Sequence, residues 1–164
     1  MSLLDRLDAR MGLFAAAMAA LALGTALVAQ YVFGLAPCPL CVWQRWPYLA
    51  ALIVGAAAWA LGWRNGWVAL LLALCFAATA GVGVFHVGVE EGLWKGLETC
   101  SGPGTPGDID SLRSQVLGAQ PARCDQVPFA FLGLSIAGWN VVFAGFATLS
   151  MLLLAVRRAA GRTR

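Results

Sequence analysis

The chain is 164 residues long, 60% hydrophobic and 12% charged, with a mean hydropathy of +0.77 and a formal net charge of +3. A soluble domain of this size cannot bury so much apolar surface, so the chain belongs in lipid. The small positive excess reflects membrane topology and carries no signal for nucleic-acid binding.

Crossing about 30 Å of hydrocarbon takes roughly 20 apolar residues. Four stretches qualify: Met11–Leu35, Trp46–Gly62, Trp67–Val89 and Leu132–Val156. The expected fold is an all-α membrane protein, a four-transmembrane-helix bundle forming a single integral domain over residues 1–164, with a long polar segment over about 90–128. The first stretch outruns the roughly 7 to 15 apolar residues of a signal-peptide core and is expected to stay in the mature protein. Small residues such as Gly12, Ala15, Ala19, Gly81 and Gly83 would let the helices approach closely.

Lys and Arg accumulate on the cytoplasmic side of membranes. Arg6 and Arg10 precede the first span, Arg64 lies in the short turn Trp63–Gly66, and Arg157, Arg158, Arg162 and Arg164 follow the last span. Both termini are therefore expected in the cytoplasm, with Arg45, Lys95, Arg113 and Arg123 on the opposite face. Trp43 and Trp46 mark that outer interface, and Trp59, Trp63 and Trp67 the inner one.

The first outer connection carries Pro37-Cys38-Pro39-Leu40-Cys41. Proline is tolerated in the first turn of a helix, so this CxxC is expected to cap the second helix. Pro47 leaves two outcomes open: a helix beginning nearer Trp46, or one that starts earlier and kinks. The long outer segment holds Cys100 in the turn-rich run Ser101-Gly102-Pro103-Gly104-Thr105-Pro106-Gly107, and then Cys124. Between them, Ile109, Leu112, Val116 and Leu117 recur at helical spacing, predicting a short amphipathic helix over about 108–118 that lies on the bilayer. Cys75 falls mid-span and reads as an inert apolar residue.

The topology places Cys38, Cys41, Cys100 and Cys124 on the non-cytosolic side, where disulfides form and persist. CxxC spacing also serves haem attachment, zinc binding and structural disulfides. Val42 stands where haem attachment needs histidine, and an oxidising compartment disfavours four thiolates on zinc, so no metal is expected. Arg45, four residues after Cys41, would share its helix face and favour a thiolate, or else simply anchor the chain at the headgroups. An exposed cysteine pair suits exchange with a protein, while a membrane-edge pair is within reach of a lipid-soluble oxidant such as a quinone. His86, near the outer end of the third span, reads equally as a functional residue and as an interfacial hydrogen-bonding group. No P-loop, HExxH or GxSxG pattern is present.

Cys38-Pro39-Leu40-Cys41 with Trp43-Gln44-Arg45, Phe85-His86 leading to Thr99-Cys100, and Cys124 followed by Phe131-Leu132-Gly133-Leu134-Ser135 together resemble the bacterial disulfide bond formation protein B (DsbB) family over nearly the whole chain. The resemblance implies a protein-disulfide oxidoreductase of the inner membrane that reoxidises a periplasmic DsbA-like thiol oxidase and reduces a membrane quinone, ubiquinone or menaquinone. It implies that Cys100 is attacked by the partner, that Cys124 then engages Cys38, and that Cys41 reduces the quinone beside Arg45 and His86. Two alternatives stand beside it. The vitamin K epoxide reductase group also combines a CxxC with loop cysteines, though its CxxC comes after the loop pair. A membrane scaffold or sensor with purely structural disulfides is the other.

Overall fold

The computed structural model describes residues 10–97 and 123–161. Cys100 and the amphipathic segment expected over 108–118 lie outside the described residues. Four long helices dominate: α1 (Met11–Tyr31), α2 (Pro39–Ala60), α3 (Gly66–Glu90) and α4 (Ile136–Gly161), with strands β1 (Ala130–Phe131) and β2 (Leu134–Ser135) just ahead of α4. By length and composition α1, α3 and α4 can cross a membrane, with hydropathies of 2.1, 2.4 and 1.9 over their most apolar stretches. The α2 helix carries Gln44, Arg45, Pro47 and Tyr48 in its first half, which dilutes its apolar character.

The apolar residues sit on the outside as well as in the core. Leu21, Ile53, Trp67, Leu74, Phe146, Leu149 and Leu153 are exposed along the helices, an arrangement that water would not tolerate over so wide an area but hydrocarbon accepts. The interior is built instead from small side chains, with Ala15, Ala19, Ala51, Ala69, Ala73, Ala144 and Ala147 packed around Met11, Leu72, Phe76, Met151 and Leu154. Without a hydrophobic drive between helices in lipid, close backbone approach and dispersion must hold the bundle.

Gly12 and Gly55 show how close that approach is. A Cβ on Gly12 would stand 2.6 Å from the Gly55 carbonyl oxygen, and one on Gly55 would stand 2.8 Å from the Ala16 nitrogen. Gly83 meets α4 in the same way, at 2.9 Å from Val141 Cγ2. Gly81 departs from the expectation, since a Cβ there would meet nothing within 4 Å.

The helix ends correct two sequence boundaries. Pro39 occupies the first turn of α2, and Pro47 is contained within the helix, so the CxxC belongs to α2 itself and the later start near Trp46 is excluded. In the turn that Pro47 disturbs, the Thr79 hydroxyl of α3 donates to the Gln44 carbonyl at 3.0 Å. At the other end, Leu132 and Gly133 both have positive φ (51° and 79°), forming the two-residue turn between β1 and β2. Paired left-handed residues match the twist of a tight hairpin and cannot continue a helix. The last helix therefore starts at Ile136, four residues after the expected Leu132.

Replacing Gly55 by valine should force α1 and α2 apart, since the obstruction is backbone that cannot swing aside. Overpacking of this kind costs about 1–3 kcal/mol. Thermal unfolding in detergent is expected to fall for Gly55→Val and to stay unchanged for Gly81→Ala; equal midpoints would show that the Gly12/Gly55 contact does not hold the pair.

Candidate active site

Cys38 is the residue from which the site is built. With extended backbone (φ −73°, ψ 166°) it forms the N-cap of α2, and its sulfur accepts the Cys41 N–H at 3.3 Å. An N-cap normally offers a hydroxyl or carboxylate oxygen to an unsatisfied helix donor. Here a sulfur does so, and the same turn brings the Cys41 Sγ to 2.9 Å from the Cys38 Sγ. Both thiols are free, as is Cys75, which packs beside the main core away from this end.

The Cys38 side chain is 4% exposed and the Cys124 side chain 0%, and the two belong to one buried cluster with Leu40 and Val89, flanked by Cys41, Val82 and Leu97. Cys124 is disulfide-bonded. The structure thus gathers Cys38, Cys41 and Cys124, while the fourth cysteine of the expected set, Cys100, lies outside the described residues.

His86, 4% exposed, joins these elements. Its Nε2 lies 3.6 Å from the Cys38 Sγ and 3.7 Å from Glu90 Oε1, its Nδ1 lies 3.2 Å from the Gln44 side-chain amide, and it hydrogen-bonds the Cys124 backbone. His86 is thus buried within the protein, with partners from α2, its own helix and the Cys124 backbone. Cys38, Cys41 and His86 place their donor atoms within 4.8 Å of one another, the spacing of a soft-metal ligand set. Glu90 continues outward, where its carboxylate accepts a hydrogen bond from Ser135 Oγ. Ser135 in turn caps α4 by accepting the Gly138 N–H at 3.0 Å.

Arg45 sits on the adjoining side of α2, near enough for its charge to act on the Cys41 sulfur. Its Nη1 donates to Gln30 Oε1 of α1 at 2.7 Å, and its Nε is buried with no hydrogen-bond partner among the described residues. Lone donors of this kind are rare in folded interiors and mark places where a further acceptor belongs.

Glu90, Gln30 and Ser135 were not singled out from sequence. Glu90 stands four residues after His86 on one helix face, a spacing that could have revealed it. Gln30 gave only the weak signal of one amide near the end of an apolar run, and Ser135 none beyond its place after the turn glycine.

The Cys41 thiol beside it draws the Cys38 thiol well below the ordinary thiol range, against the opposing effect of burial and with help from His86. A group so lowered is already a thiolate at neutral pH and gains its proton only on acidification. Thiolate ultraviolet absorbance of the reduced protein, taken as the difference from Cys38→Ser, should therefore persist to clearly acidic pH, and His86→Ala should move the midpoint upward. A midpoint near the usual 8.5 in the unmodified protein would overturn this.

Comparison with known proteins identifies the family. The family described as "Disulfide bond formation protein DsbB" matches residues 8–155. A disulfide bond formation protein B of Chromohalobacter salexigens is 35% identical over 150 residues, covering 84% of this chain and 83% of the relative. One from Acidovorax sp. is 36% identical over 149 residues, covering 85% and 82%. One from Aromatoleum aromaticum is 32% identical over 158 residues, covering 92% and 93%. No solved structure matches the chain significantly.

Proposed function

The chain belongs to the disulfide bond formation protein DsbB family, and we propose that it is a four-span inner-membrane enzyme that reoxidises a periplasmic DsbA-like dithiol protein and delivers the electrons to a membrane quinone. The single observation that carries the route is the burial of Cys38 and Cys124 in one cluster beneath His86. A sulfur exchange between the loop pair and the CxxC then needs no large movement of the bundle.

In this reading the termini are cytoplasmic, the cysteines face the periplasm, and the 108–118 segment rests on the bilayer. The resting enzyme holds Cys38–Cys41 and Cys100–Cys124 as disulfides. A partner thiolate attacks Cys100, forming a mixed disulfide and expelling Cys124 as a thiolate. Cys124 attacks Cys38, and Cys41 leaves as the new thiolate. The partner's second thiol then displaces Cys100 and departs as a disulfide, having lost two electrons and two protons.

A bound quinone would supply a two-electron, two-proton sink. The residues present fit such a group: the orphaned Arg45 Nε offers a donor to an uncharged carbonyl oxygen beside Cys41. Arg45 would also stabilise negative charge as electrons leave the Cys41 sulfur, and its permanent charge needs no proton for the task. The Cys100 thiolate would attack Cys124 and expel Cys38 as a thiolate, and Cys38 and Cys41 would then close their bridge as that pair loses two electrons to the acceptor, so both disulfides are restored. His86 would hold the sulfur of Cys38 in line for both exchanges.

Purified enzyme with added quinone should oxidise a reduced DsbA-like protein catalytically. Turnover should vanish in Cys41→Ser, and the electron route is wrong if it survives. In Cys124→Ala a mixed disulfide between partner and Cys100 should accumulate and be isolable on a non-reducing gel.

Arg45→Met should separate the two half-reactions. Loss of a charge-assisted hydrogen bond costs about 1.5–3 kcal/mol, so quinone KM is expected to rise about 10- to 100-fold while KM for the protein partner stays put. An unchanged quinone KM would reduce Arg45 to an anchor.

A further inference from the structure

We propose that, in the reduced enzyme, Cys38, Cys41 and His86 form a binding site for a thiophilic d10 dication such as Zn2+, and that its occupation blocks reoxidation of the pair. The sulfur and nitrogen donors already lie within 4.8 Å of one another. Tetrahedral zinc, with Zn–S near 2.3 Å and Zn–N near 2.0 Å, asks for an S···N separation of roughly 3.5 Å and an S···S separation of roughly 3.8 Å. The Cys38 Sγ to His86 Nε2 distance is 3.6 Å, which meets the first requirement as it stands. The sulfurs, at 2.9 Å, must part by under about 1 Å, a small rotation of the Cys41 side chain, and CxxC is a spacing at which zinc sites commonly take two thiolates.

The surroundings favour the ion as well as the geometry. The Cys41 N–H donates to the Cys38 sulfur, and the α2 N-terminus lends both thiolates its partial positive charge. Two thiolates in this buried cluster are costly alone, whereas two thiolates and a dication form a neutral unit. Gln44, 7% exposed, meets the imidazole at Nδ1 and leaves Nε2 facing the sulfur; with its amide turned so that Oε1 accepts the Nδ1–H, it is an outer partner of the kind that orients metal-bound histidines. The Glu90 carboxylate, 3.7 Å from Nε2, adds negative charge close by.

Binding is an exchange without electron transfer: the Cys38 sulfur binds as the thiolate it already is, and Cys41 releases its proton as the cation takes its place. A disulfide has neither thiolate to offer, so the site exists only after the pair has been reduced. A cation seated there holds both sulfurs and denies Cys124 and the electron acceptor access to them. That consequence rests on the function proposed above, but the site itself does not.

Full-length protein in detergent, reduced with a phosphine and freed of excess reductant, can be titrated with Cd2+ while the thiolate-to-metal ultraviolet band is followed, and with Zn2+ against a chromophoric chelator. One ion per chain is expected in reduced protein and none in oxidised protein, with about one proton released from the cysteine pair at neutral pH. Cys38→Ser should abolish binding, and His86→Ala should weaken it about 10-fold or more, as removal of a supporting group does at other sites. The Cys100→Ser/Cys124→Ser double variant should still bind. Each His86 variant is accepted only if oxidation still forms the Cys38–Cys41 disulfide, and His86→Gln replaces His86→Ala if the latter fails this check. An affinity unchanged in the accepted variant, or binding that survives Cys38→Ser and disappears with the loop cysteines, would overturn the site. Failure of quinone turnover would leave this titration untouched and counts only against the electron route.

Discussion

The cap that Cys38 places on α2 is the contact on which the rest depends. One sulfur accepts a helix N–H, stands against Cys41, faces His86 and packs in the same cluster as Cys124. Helix geometry and redox chemistry therefore share an atom. A thiolate accepts hydrogen bonds far better than a disulfide sulfur, so the first turn of α2 is held more firmly in the reduced state. Caps contribute on the order of 1 kcal/mol, enough to bias the turn without unfolding it when the bridge closes. The prolines on either side of Cys38 limit how far the backbone can respond, so the change falls on the sulfurs themselves.

The bundle holds that turn against α3. The α1–α2 pair closes through Gly12 and Gly55, α3 meets α4 at Gly83, and the Tyr48 hydroxyl donates to Asn140 Oδ1 at 2.7 Å across to α4. At the site end the joints become polar: Arg45 to Gln30, Gln44 to His86, His86 to Glu90 and Ser135 to Glu90. Polar groups at membrane depth are expensive unless they satisfy one another, and here nearly every partner comes from a different helix. The same bonds that remove the cost of burial thus fix the mutual orientation of all four helices. Ser135 does this twice over, capping α4 and tethering Glu90, so the stretch leading into α4 is pinned to α3.

Much of this was legible in sequence because hydropathy reports what a helix faces. Spans α1 and α3 were found nearly to their ends, and the CxxC was correctly placed as the cap of α2. Backbone dihedrals are invisible to the same reasoning. Leu132 and Gly133 read as the opening of an apolar span, yet their positive φ makes a hairpin and delays α4 to Ile136. Pro47 could have ended the helix or been absorbed, and only the neighbouring Thr79 hydroxyl shows how a disturbed turn is supported. His86 was visible as the one histidine near the cysteines, but its role as a junction was not. That role depends on Gln44, Glu90 and Cys124 converging from separate segments, and no spacing within a single helix encodes such a meeting.

The state of Arg45 follows from what it lacks. Among the described residues it makes no ion pair, and its recorded partner, Gln30, is a neutral amide. A carboxylate in place of Gln30 would lower the cost of holding a guanidinium at this depth, but it would also cancel the field that reaches Cys41. An amide satisfies one N–H and leaves the charge intact. The arrangement holds a less stable arginine and leaves its positive field at the Cys41 sulfur uncompensated by its recorded partner. Stability alone would favour the ion pair, so the glutamine opposite Arg45 is consistent with the role proposed for Arg45 beside the Cys41 sulfur.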